Sequence, residues 1–114
     1  MNKKIIGCWG EGVARNYLEN KGYTILNSNW HYHHKELDII AYKDKVIGFE
    51  IKTRTSNTDL AFTILKAAQV YRLRLALKAY CQIHYLDYNK SQLDLIVITI
   101  KNRNTVIVKH HLDI

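Results

Sequence analysis

The chain has 114 residues, 47% of them hydrophobic and 24% charged, which suits a single domain over 1–114 and leaves no room for two. Seventeen Lys and Arg against ten Asp and Glu give a net charge of +7, which favours a polyanionic partner such as nucleic acid or an acidic membrane surface. No stretch nears the ~20 apolar residues of a membrane span, the N-terminal Met1-Asn2-Lys3-Lys4-Ile5-Ile6 is too short an apolar run for a signal peptide, and Cys8 and Cys81 form no metal or redox spacing, so a reduced, cytoplasmic protein is expected.

A helix is predicted over 6–20, where Ile6, Trp9, Val13 and Tyr17 recur at helical spacing and Lys21-Gly22 supplies the stop. A short strand is expected at 23–26, followed by a polar, His-rich loop through Asn29 to His34. Two alternating runs, 36–42 and 46–54, joined by Lys43-Asp44-Lys45, read as a hairpin. A second helix is predicted over 59–81, carried by Val70, Leu73, Leu77 and Tyr80. Strands at 93–100 and 105–108, around Lys101-Asn102-Arg103-Asn104, complete the order α-β-β-β-α-β-β. That is an α/β mixture in which two helices can cover one sheet.

The hairpin concentrates the chemistry. Side chains two apart on a strand share a face, so Glu36, Asp38, Ile40 and Tyr42 are expected on one side and Leu37, Ile39 and Ala41 on the other. In the second run Val46, Gly48, Glu50, Lys52 and Arg54 share a face, opposite Ile47, Phe49 and Ile51. A turn centred on Asp44 sets Asp38 against Glu50 and Glu36 against Lys52, and a one-residue slip would send the apolar set outward. Two facing carboxylates repel. Mg²⁺ or Mn²⁺ would compensate them, with the Ile51 carbonyl and water completing a hard-cation ligand set. Lys52 is placed to orient a water or offset charge on a phosphate, and Gly48 to leave room for a ligand. A solvated ion-pair ladder on an amphipathic hairpin accounts for the same residues about as well.

These residues resemble the PD-(D/E)xK nuclease core, with Asp38 as its first acid and Glu50-Ile51-Lys52 as its E-x-K. The resemblance extends through Gly7, Gly10-Glu11, Ala14, Tyr17-Leu18, Gly22-Tyr23, Ile25-Leu26, Asn29, Glu36-Leu37-Asp38-Ile39-Ile40-Ala41 and Glu50-Ile51-Lys52-Thr53-Arg54, reaching about Asp94. It is to the YraN-like family, which is similar to archaeal Holliday-junction resolvases of the restriction-endonuclease-like superfamily. It implies an α/β restriction-endonuclease-like core, with a central mixed sheet of about five strands and helices on its faces. It also implies Mg- or Mn-dependent hydrolysis of phosphodiester bonds in DNA, with branched or structured DNA as substrate in recombination or repair. Asp38, Glu50 and the Ile51 carbonyl would hold the metal, Glu11 would bring a further acid from the first helix, and Lys52 would position the water. Glu11 shares its helix flank with Gly7, Ala14 and Leu18, small residues among them allowing close approach to a sheet. Gln69 is a further candidate for orienting water or phosphate.

Lys43, Lys45, Arg54, Lys66, Arg72, Arg74 and Lys78 are candidate phosphate contacts, and Trp30 and Tyr32 candidate platforms for an unpaired base. No zinc is expected at His31, His33, His34, His110 and His111, since the first three fall in a predicted loop without a ligand spacing. The alternative reading is a nucleic-acid-binding protein with a nuclease fold and no chemistry; a third is a subunit whose basic surface meets an acidic protein. Symmetric cutting of a junction would call for a homodimer.

Overall fold

The computed structural model describes residues 3–55 and 65–114. They form α1 (Lys3–Asn20), β1 (Thr24–Tyr32), β2 (Lys35–Tyr42), β3 (Val46–Thr55), α2 (Ala67–Ile83), a 3-10 turn (Tyr88–Lys90), β4 (Gln92–Asn102) and β5 (Thr105–His111). The strands make one mixed sheet in the order β1-β2-β3-β4-β5. Among the described residues only the β3–β4 pair is parallel, with α2 between the two strands in the chain as a parallel pair requires. Ala14 and Leu18 of α1 pack on Ile39, Ala41, Ile47, Phe49, Ile96 and Ile98, while Leu73, Ala76 and Leu77 of α2 pack on Leu37, Ile40, Val46 and Leu93. The expected α/β class, with helices on both faces of a five-stranded sheet, is therefore present.

Helix α1 ends as its sequence requires. Gly22 takes φ +93°, and Tyr23 N–H bonds the Leu18 carbonyl at 3.0 Å, closing the last turn through a residue without a Cβ. Close approach to the sheet, however, depends on Gly10 rather than Gly7. A Cβ on Gly10 would lie 1.9 Å from Thr53 Oγ1 and 3.0 Å from Thr53 Cβ, whereas one on Gly7 would meet nothing within 4 Å. Rotating Thr53 relieves the first clash but not the second. Gly10→Ala is expected to cost about 1–3 kcal/mol by overpacking, with part of the loss recovered in Gly10→Ala/Thr53→Ala. Thermal melts check this, and an unchanged Tm in the single variant would show that α1 does not sit so close.

Several boundaries differ from those predicted. Strand β1 continues past Leu26, because Ser28, Trp30 and Tyr32 pair with Ile39, Leu37 and Lys35 of β2. The expected loop shrinks to the two-residue turn His33-His34, with His33 at φ 56°. Helix α2 starts at Ala67, so Leu65 and Lys66 precede it, and the predicted helix over 59–64 lies outside the described residues. Strand β5 runs on to His111, which puts His110 and His111 on the sheet.

The hairpin register holds for Ile39↔Phe49, Ile40↔Gly48, Ala41↔Ile47 and Tyr42↔Val46, and the ladder ends there, so neither Asp38 and Glu50 nor Glu36 and Lys52 are ladder partners. Alternation along β2 also breaks at Asp38. Leu37 joins Ile40 on the α2 side instead of sharing a face with Ile39 and Ala41. Opposite the break, Asn29 of β1 takes φ 52°, and Asn29 and Asp38 are missing from the β1–β2 ladder. Such an interruption re-aims a side chain at the cost of local pairing. Gly48 is likewise not an opening for a ligand: Leu37 and Leu77 methyl groups lie 3.2–3.4 Å from where its Cβ would be.

Candidate functional site

Where the β2–β3 ladder stops, the Asp38 side chain takes its place. Asp38 Oδ2 accepts the Ile51 N–H at 2.8 Å. A strand residue's N–H and C=O point to the same side, so the Ile51 carbonyl also faces the Asp38 side. Glu50, next to Ile51 on β3, is hydrogen-bonded to Asp38 through its carboxyl. Lys52 Nζ lies 3.6 Å from Glu50 Oε2, and Gln69 Nε2 of α2 donates to that same oxygen at 3.2 Å. The Glu50 and Lys52 side chains are only 13% and 26% exposed, so this is not a solvated surface ladder.

Burial, followed by the hydrogen bond to Glu50 and the Glu50 charge, pushes the Asp38 carboxyl up to about 8, against the opposing pull of Ile51 N–H and Lys52. At neutral pH the pair therefore retains a proton in the place a cation would occupy. Glu11 stands beside it on α1. Burial and then the Asp38 charge raise the Glu11 carboxyl, a hydrogen bond with Asn29 lowers it, Glu36 raises it and Arg15 lowers it. Asn29 is the residue with φ 52°, so the irregularity in β1 that faces Asp38 also engages Glu11. Among the described residues no three His, Cys, Asp or Glu side chains gather closely enough to ligate one ion. The Asp38–Glu50 pair is the core of the site, with Glu11 outside it. Two carboxylates and a backbone carbonyl suit a hard divalent cation that keeps several waters.

The Asp38 shift fixes a stability prediction. Its folded carboxyl titrates near 8 against an ordinary 3.8, so between about pH 4 and 8 the folded chain holds a proton the unfolded chain has released. Stability therefore falls as pH rises through that window. Asp38→Asn keeps an acceptor for Ile51 N–H and removes the titration. In a chelating buffer, its Tm is expected to gain on the wild type progressively from pH 4 to 8, and parallel pH profiles would contradict the assignment.

The basic candidates are distributed unevenly. Arg72 lines a cleft of about 150 Å³ that also reaches His34, Lys35, Glu36, Glu50 and Gln69. Lys78 lines an adjacent groove with Tyr32 and Lys35. Arg54 follows Lys52 on β3 and donates to the Thr53 carbonyl at 3.3 Å, and Lys66 is exposed just before α2. Lys43 donates to the Lys21 carbonyl at 2.6 Å and Lys45 to Gln92 Oε1 at 3.3 Å, both at the turn that begins β3 and away from its acidic segment. Arg74 hydrogen-bonds the Ile114 carbonyl and ties down the C-terminus. Trp30 packs edge-on against Tyr80 at 5.3 Å as part of the α2-side core, whereas Tyr32 is 40% exposed.

A further polar cluster lies outside the site residues singled out from the sequence. Asp94 is 0% exposed and accepts from Gln92 Nε2 and from Asp113 N–H, each at 2.8 Å. Its other oxygen meets His110 Nε2 at 2.8 Å, and His110 Nδ1 meets Tyr17 OH at 3.0 Å. An Asp inside the apolar run Leu93–Ile98 is the sequence signal, since a buried carboxylate must be paired. Its partner is 16 residues away, in a stretch predicted to lie beyond the last strand. This cluster joins α1, β4, β5 and the C-terminal residues.

The model of the uncharacterised protein family UPF0102 matches residues 10–98. A UPF0102 protein of Parabacteroides distasonis is 36% identical over 107 residues, covering 92% of this chain and 87% of its own. A UPF0102 protein of Paenarthrobacter aurescens is 32% identical over 98 residues, covering 84% and 81%. UPF0102 protein TTE1452 of Caldanaerobacter subterraneus is 41% identical over 91 residues, covering 70% and 75%. The crystal structure of SSO0001 superposes with a TM-score of 0.44 at 17% identity over 96% of this chain and 52% of its own, so this chain spans about half its length.

Proposed function

The chain belongs to the uncharacterised protein family UPF0102, and from the geometry of its site we propose that it is a metal-dependent endonuclease hydrolysing phosphodiester bonds in DNA. The observation that carries this reading is the Asp38–Glu50 carboxyl pair, held together in a half-buried site with Lys52 Nζ 3.6 Å from Glu50. Two carboxyls pressed together beside a cleft repel unless a proton or a cation lies between them. Mg²⁺ or Mn²⁺ would polarise a phosphoryl oxygen and acidify a bound water there.

The chain's own residues divide the remaining work. Asp38 and Glu50, with the Ile51 carbonyl, are the ligands, and Glu11 is an outer acid. Lys52 orients the attacking water and offsets charge growing on the phosphate. Gln69 donates to Glu50 Oε2 and so fixes the carboxylate's orientation rather than touching the phosphate. Arg72 and Lys35, at the cleft, meet the neighbouring phosphates. Branched or structured DNA, in recombination or repair, is the substrate class suggested by the resemblance to junction resolvases. Symmetric cutting of a junction would use a homodimer. No helix among the described residues is long and apolar enough to cross a membrane, and the proposed setting is the cytoplasm.

The second reading, a DNA-binding protein without the chemistry, is favoured by Glu11 standing outside the ligand pair. Incubation with labelled four-way junction, flap, single-stranded and duplex DNA in Mg²⁺ or Mn²⁺ separates the two. Cleavage of at least one substrate is expected. Binding that weakens steeply with salt, but without cleavage of any substrate, would establish the binder instead.

A further inference from the structure

We infer that the groove leading from Glu50 along α2 to Tyr32 holds a single unpaired nucleic-acid strand, so that the substrate carries a single-stranded tail beside the bond that is cut. The position of that bond rests on the nuclease reading; strand binding does not. Two cavities, of about 150 and 210 Å³, share Lys35 as a common wall. The first reaches Glu50 and Gln69, and the second reaches Tyr32, Lys78 and Gln82. On α2, Gln69, Arg72, Leu75, Lys78 and Gln82 follow one another at three- to four-residue steps, a row that winds partway round the helix as it rises about 20 Å along the axis. The opposite wall is the end of the β1–β2 hairpin, with Tyr32 and Lys35.

Charge and aromatic placement select the occupant. Among the described residues, Lys35, Arg72 and Lys78 take part in no ion pair, which leaves three cations along the groove for phosphates. Glu36 and Glu50 line only the end where a cation is proposed. Tyr32 supplies the far end. Its ring is parallel to Trp30 within 5°, at 6.2 Å between centroids, and Trp30 is itself held edge-on by Tyr80. A ring held between Trp30 and a T-shaped contact with His33 at 4.5 Å, and still 40% exposed, is a stacking platform. A base inside a duplex already has both faces stacked, so the platform favours an unpaired base.

The test measures strand binding without cleavage, by fluorescence anisotropy in a chelating buffer, using a fluorescein-labelled deoxyribonucleotide single strand and a blunt duplex. Tyr32→Ala is expected to weaken single-strand binding about 5- to 100-fold, leave duplex binding unchanged, and be rescued by Tyr32→Phe. Arg72→Ala/Lys78→Ala is expected to weaken it more than Lys101→Ala/Arg103→Ala, which removes equal charge on the β4–β5 turn. Equal losses from the two double variants, or no effect of Tyr32→Ala, would overturn the inference. A protein that binds single strands through Tyr32 but cuts nothing would overturn the nuclease reading alone. Cleavage of blunt and tailed duplexes alike, indifferent to Tyr32, would overturn this inference alone.

Discussion

Glu50→Gln is expected to lower metal-dependent cleavage by on the order of 100-fold or more, while the thermal melt stays close to wild type. The amide keeps the shape of the side chain and an acceptor for Gln69, which donates to Glu50 Oε2 at 3.2 Å. It removes the charge on which the proposed site depends. Lys52→Ala is expected to reduce cleavage comparably while leaving metal binding in place, because Lys52 acts on water and phosphate rather than as a ligand. Gln69→Ala, acting through Glu50, is expected to cost about 10- to 100-fold. Activity is measured on whichever DNA structure the wild type cuts. Full activity in Glu50→Gln would remove Glu50 from the chemistry.

The largest stability effect is expected at Asp94, away from that chemistry. Asp94→Ala leaves Gln92 Nε2, His110 Nε2 and the Asp113 N–H without their acceptor. Gln92 and His110 are half-buried and Asp113 is exposed, so the loss falls mainly on the first two, at about 1–3 kcal/mol for each donor left unpaired, a large share of the roughly 5–15 kcal/mol that stabilises a small domain. A Tm lowered by more than about 10 °C is expected in differential scanning calorimetry. A Tm within about 2 °C of wild type would mean that the cluster contributes little. His110→Phe is the informative companion. It keeps a ring against Tyr17, Tyr23 and Phe49 but strands one Asp94 oxygen, and its loss should be intermediate.

How much of this was legible depends on the range over which each feature is determined. The β2–β3 register could be read because a three-residue turn and apolar residues on both strands specify it locally. The convergence of Asp38 and Glu50 follows from that register. Asp38 then departs from the ladder to bind Ile51 N–H at 2.8 Å, a detail that alternation cannot carry because the break in alternation creates it. Leu37 changed face for the same reason. Strand β1 extends beyond its predicted end because Asn27 and Ser28, which lack strand character on their own, are recruited by pairing with β2, and the ladder resumes past Asn29 at Trp30.

Longer-range features were less visible. Periodicity put Glu11 on a flank with small residues, but which glycine meets the sheet depends on how α1 is rotated against Thr53, and that is set by packing. The Asp94–His110 pair needs β5 to extend beyond its apolar part, and only the tertiary contact shows that it does. The basic residues showed the opposite pattern. Each is plain in the sequence, yet α2 and the β1–β2 hairpin set Arg72 beside the acids and Lys78 in the adjoining groove, and send Lys43 and Lys45 to the other end of β3.

The central claim, that Asp38 and Glu50 together hold a hard divalent cation, is tested most directly by titrating Mn²⁺ into the full chain and counting bound ions by electron paramagnetic resonance. One Mn²⁺ per chain is expected, displaced by Mg²⁺, lost in both Asp38→Asn and Glu50→Gln, and retained in Lys52→Ala. Stoichiometric Mn²⁺ binding that survives both acid substitutions, or none in the wild type, would contradict it.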